Sequence, residues 1–148
     1  MRIYLPLTAE DRAALESAAR GLELAAERPA WGVSTEARAD RPGQDEEDLE
    51  YDALQDAAHI AFSLGGGDSR ALVIAADAPD EALAGAQENG GAFGVVTRRA
   101  TQARIASFHV SELDAVAADQ DDTDPALLWF DASEGADALA YLDGAGQD

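Results

Sequence analysis

A chain of 148 residues is long enough to bury one core and too short for two self-sufficient ones, so a single domain is expected. With no cysteine it has neither a disulfide framework nor a thiolate nucleophile or metal ligand. Thirty acidic residues against ten basic give a formal charge of −20, which argues against the phosphate-neutralising surfaces that nucleic acids and anionic membranes require.

The opening run Met1–Leu7 is too short and too soon followed by charge to be a signal peptide, and no later apolar run approaches a membrane span. A cytoplasmic protein is therefore expected. Arg2–Leu5 reads as a first strand. Thr8 with Asp11 three residues on is a capping box, opening a helix over Ala9–Arg20 with Leu15, Ala18, Ala19 and Leu22 on one side. Trp31–Thr35 reads as a second strand, and Arg38–Asp45, with Pro42 and Gly43, as a surface loop.

Glu46–Leu64 is the clearest helix. Leu49, Ala53, Ala57, Ile60 and Leu64 form a stripe that Tyr51, Leu54, Ala58 and Phe62 widen, and Asp45–Asp48 places negative charge at its N-terminus. Gly65–Gly67 ends it. Arg70–Ala76, almost wholly apolar, reads as a central strand covered on both faces. Pro79–Ala86 suggests a short helix, Asn89–Gly91 a turn, Ala92–Thr97 a strand and Arg98–Ala103 a connection.

Arg104–Val110 alternates, with Ala106, Phe108 and Val110 on one side and Ile105, Ser107 and His109 on the other. Ser111 to Asp114 reads as a capping box for a helix to about Ala118, and Asp119–Pro125 as an acidic loop. Leu127–Asp131 is a last strand, Glu134–Leu142 a last helix, and residues 143–148 a frayed tail. Apolar content is low enough, with this charge, to suggest disorder, but the patterning specifies a fold. The expectation is one α/β or α+β domain over residues 1–142: a two-layer sandwich with a mixed sheet of five or six strands and three to five helices.

Chemistry must come from what this composition offers. Ser107 and His109, two apart on a strand, share a face about 7 Å apart, beyond direct hydrogen bonding. His59 lies on the polar side of its helix near Asp52 and Asp56, the spacing of an exposed ion pair. The stretch from Asp119 to Asp124 mimics the start of a calcium loop, but the glycine and the bidentate glutamate such a loop needs are replaced by Asp124 and Phe130. Neither Gly65–Gly67 nor the glycines after Asn89 precede a helix, so they are turns rather than phosphate loops.

Asp77 and Asp131 each follow an apolar strand and precede an expected helix. If they converge they could hold a divalent cation or act as acid and base, with His109 as a proton carrier; as capping residues they would do neither. Arg98, Arg99 and Arg104 are the one basic concentration, placed to contact an anion or a partner, or to neutralise the protein's own acids. No cofactor or resident metal is implied. The leading expectation is a non-catalytic interaction module with a basic protein partner, and the alternative is a metal-assisted hydrolase on the two strand-end aspartates.

The segments Met1–Pro6, Leu49–Leu54, Val73–Pro79, Phe108–Val110 and Leu127–Phe130, in that order, resemble a family of small acidic actinobacterial proteins of unknown function. The resemblance implies one domain and a GC-rich source, in keeping with a chain whose ten basic residues are all arginine. It implies no activity and no catalytic residues.

Overall fold

The computed structural model describes residues 1–65, 69–86, 91–121, 124 and 126–144. Gly66, Gly67, Asn89, Gly90, Asp122, Thr123, Pro125 and the end of the tail, on which several sequence expectations fall, lie outside them. The chain runs β1 (Arg2–Pro6), α1 (Ala9–Glu16), β2 (Gly21–Leu24), β3 (Pro29–Gly32), α2 (Thr35–Asp40), α3 (Glu46–Leu64), β4 (Leu72–Asp77), β5 (Leu83–Gly85), β6 (Gly94–Thr97), β7 (Thr101–Ser111), α4 (Ala115–Asp119), β8 (Leu127–Asp131) and α5 (Gly135–Leu142). No helix among the described residues is long and apolar enough to cross a membrane.

All eight strands belong to one sheet in the order β2-β7-β4-β1-β3-β6-β5, and β8 pairs with β7 beyond the end of β2. Every pairing is antiparallel, so the mixed sheet expected from alternating strands and helices is corrected. The sheet must curl. In a flat sheet β6 and β7 would stand four strand spacings apart, about 19 Å. Only Arg98–Ala100 joins Thr97 to Thr101, four Cα steps that reach at most about 14 Å.

Helices cover both faces of this half-barrel, rather than one as a two-layer sandwich would have it. The concave face gathers Ile3, Leu5, Leu22, Leu24, Leu72, Ile74, Ile105, Phe108 and Val110 beneath α1 and α5. The convex face carries Tyr4, Trp31, Val73 and Ala75 beneath α3, which packs against β1, β3 and β4 through Leu49, Ala53, Ala57 and Ala58. Alanine at three of those four positions lets the helix axis approach the sheet closely.

Local sequence explains most departures. α1 stops at Glu16 rather than Arg20 because Ala18 enters the left-handed region at φ 56°, and the chain turns into β2. Ser34 caps α2 by accepting a bond from Ala37 N–H, so a helix occupies Thr35–Asp40 where a strand end and a loop were expected. Pro79–Ala86 is a single 3₁₀ turn followed by β5, not a helix. β7 begins at Thr101 and runs through Ser111, so the cap of the next helix is Asp114, whose carboxylate accepts from Ala117 N–H. A bulge opposite Ala75 and Ala76 skips Ala106, which turns Ile105 to the same core as Phe108 and Val110.

Candidate functional site

The two strand-end aspartates do not converge. Asp77 pairs with Arg104 and Asp131 with Ser107, on strands that flank β7 on opposite sides. Two strand spacings and three residues of offset put their Cα atoms roughly 14 Å apart, too far to share one cation at carboxylate bond lengths. Asp77 instead accepts a two-pronged contact from Arg2, at 2.8 and 3.2 Å, and that bond holds its carboxyl below the usual range. Asp131 Oδ2 accepts from Ser133 N–H and hydroxyl at 3.1 and 2.6 Å, while Asp131 N–H donates to Glu134, so this carboxylate shapes the turn into α5.

Ser107 and His109 do meet. The Ser107 hydroxyl and His109 Nε2 lie 2.9 Å apart, closing the gap that strand geometry alone would leave. His109 sits between Val73 of β4 and Trp129 of β8. Burial, reinforced by the charge of Arg2, pushes its imidazole down to about 4, so it is neutral at pH 7 and a weak base. Neither residue lines any of the larger cavities among the described residues. His59 is exposed on α3 beside Asp56, whose carboxyl is raised by burial against the opposing influence of His59. No group of three or more His, Asp or Glu side chains among the described residues is arranged to hold a metal.

The three arginines have different surroundings. Arg99 lies 3.7 Å from Glu81, with both side chains exposed. Arg98 is fixed through its backbone, donating to Ala82 O at 2.7 Å. Arg104 stands in β7 opposite Gly21 of β2 and beside Arg20.

A much larger cavity among the described residues lies elsewhere, at the end of the half-barrel where β1 and β2 finish and β3 begins. It is an open cleft of about 1150 Å³. One wall is α1 and the chain leading into it, another is the Ala25–Arg28 loop, and a third is the C-terminal end of α3 with Ile60 and Leu64. Leu24, Ala25, Ala26, Pro29 and Trp31 give it an apolar lining, and Glu10 and Glu23 lie at it as well. Leu64 is 63 % exposed, among the most exposed large apolar side chains of the described residues.

A buried ion pair holds this mouth in shape. Arg28 donates to both Asp11 oxygens at 2.8 and 2.6 Å and to Pro6 O at 3.1 Å. Asp11, only 2 % exposed, also accepts from Thr8 N–H at 2.9 Å, which is the capping box seen in the sequence. Thr97 completes the closure: its hydroxyl donates to Ala25 O and accepts from Arg28 N–H. One network therefore joins β1, α1, the β2–β3 loop and β6. Sequence reasoning found the cap and missed the cleft, because its walls come from positions as far apart as 8, 24, 60 and 101.

A family model covers residues 1–145, and the chain belongs to that family, DUF6912, a family of unknown function. No curated protein and no solved structure shows significant similarity to it.

Proposed function

We propose that this protein is a non-catalytic interaction module of the cytoplasm, and that its mouth cleft takes the apolar face of a basic amphipathic segment of a protein partner. The observation that carries the reading is an apolar cleft bordered by carboxylates on a molecule of charge −20. At about 1150 Å³ the cleft is larger than the roughly 300–1,000 Å³ usual for small-molecule pockets, and it is partly open to solvent, which suits a peptide. Ile60 and Leu64, both exposed, supply contacts for apolar side chains, and Glu10 and Glu23 meet the basic ones. The wider negative field speeds encounter and sets orientation.

The test is fluorescence anisotropy with a labelled amphipathic peptide of leucine and lysine, beside a leucine–glutamate counterpart. The basic peptide should bind saturably and more weakly at high salt, and the acidic one should not bind. Ile60→Gln with Leu64→Gln should weaken binding by about tenfold or more, since roughly 1.5–3 kcal/mol attends burial of each such side chain. Unchanged affinity in that variant would remove the cleft from the reading.

A further inference from the structure

On a chain with thirty carboxylates, most arginines are expected to find one. Five do: Arg2, Arg12, Arg28, Arg38 and Arg99. Arg41 and Arg70 lie over the rings of Phe93 and Tyr141. Arg20, Arg98 and Arg104 meet no carboxylate within 4 Å among the described residues. Two of these three, Arg20 and Arg104, open on one hollow of about 520 Å³ at the start of β2, which shares Gln102 with the mouth cleft at the other end of that short strand.

The walls of the hollow favour an anion. Its one carboxylate, Asp77, already has both oxygens engaged by Arg2. Arg20 and Arg104 against Asp77 leave the lining a net charge of +1 on a strongly negative molecule. Gly21 stands directly across from Arg104. A Cβ there would make only ordinary contact, 3.6 Å from Ala103 O, and the backbone is not in the left-handed region, so neither packing nor conformation demands glycine. What the missing side chain does is keep the hollow open beside a guanidinium, as strand glycines do where a ligand approaches the backbone.

We propose that this hollow is an oxyanion site for a phosphate group of a small molecule. Arg20 and Arg104 present their forks to its oxygens, and the Gln102 amide is a further donor on the same wall. Two forked guanidinium groups and an amide offer more donors than the two oxygens of a carboxylate can use, and the terminal oxygens of a phosphate match them better. The hollow adjoins the mouth cleft, since Gln102 lines both, but Arg20, Gly21 and Arg104 line the hollow and not the cleft.

The experiment is a titration of the labelled full chain with inorganic phosphate at fixed ionic strength, following the arginine Nε–H resonances by NMR. Saturable shifts are expected at Arg20 and Arg104, with Arg98 unmoved. Gly21→Leu, which fills the hollow without removing a charge, and Arg104→Gln should each weaken binding tenfold or more while the melting temperature stays within a few degrees. Shifts that rise linearly at all arginines, or a phosphate midpoint unchanged in Gly21→Leu, would overturn the site. Acetate acting at the same two arginines with an equal midpoint would overturn its assignment to phosphate.

Discussion

His109 makes the clearest claim at the scale of one residue. Its imidazole titrates near 4 in the folded protein against about 6.5 in the unfolded chain. Between those values the unfolded state holds the proton, so His109 adds stability that is complete above pH 6.5 and is lost as pH falls toward 4. The shift corresponds to about 3 kcal/mol. Asp77, whose carboxyl is lowered, adds the usual acidic contribution, lost as pH falls below its ordinary range and shared by the His109→Gln variant. Urea unfolding of the protein and of His109→Gln between pH 7 and 4 should show the wild type losing about that much more than the variant. Parallel pH profiles would refute the assignment.

The Asp11–Arg28 pair belongs to the same scale. Removing one partner strands a buried charge, which typically costs about 3–5 kcal/mol, whereas replacing both with apolar groups costs far less. Asp11→Ala should therefore destabilise by about 3 kcal/mol or more. Asp11→Leu with Arg28→Met should recover all but roughly 1 kcal/mol, the worth of the lost cap at Thr8. Chemical denaturation of the two variants checks it, and strictly additive losses would contradict a coupled pair.

Among elements, the joint between α1 and α5 has the least room. A Cβ on Gly135 would lie 2.8 Å from Leu15 O and 3.1 Å from Leu15 Cα, both backbone atoms. Gly135→Ala should cost about 1–3 kcal/mol through forced separation of the two helices, despite alanine's better helix propensity. A stabilised variant in thermal melts would show that the contact relaxes freely.

Elements were legible in proportion to their length. α3, with nineteen residues and a continuous stripe, and the buried run of β4 could be read directly from the sequence. β2 holds two apolar residues, and Leu22 falls equally on the stripe begun by Leu15 in α1, so helical periodicity absorbed it. β5 is three residues long and is specified by its pairing with β6 rather than by any pattern of its own. Strand direction was misread because alternating helices and strands suggest crossovers between parallel neighbours. Here short connections such as Arg98–Ala100 and the Ala25–Arg28 loop cross the mouth of a curled sheet. Of the candidate site, the Thr8–Asp11 cap was readable. The cleft was not, since no local pattern joins residues 24, 31, 60 and 101.

For the whole molecule the governing quantity is the charge of −20. Self-repulsion opposes the compact state, and raising salt from about 0.05 M to 1 M shortens the Debye length from above 10 Å to roughly 3 Å. The melting temperature should rise by several degrees over that range, and a flat response would mean that the folded state has distributed its charge without penalty. The same field is what would bring a basic segment to the mouth of the half-barrel, where the apolar lining then holds it.

That central claim is tested most directly by mapping where the leucine–lysine peptide binds, from backbone amide shifts of the labelled chain during titration. The account predicts saturable shifts confined to the mouth: the start of α1, Leu24 to Arg28, Ile60 to Leu64 and the first residues of β7. Shifts spread over the acidic surface with the mouth unmoved would contradict it and reduce the charge to a solvated coat.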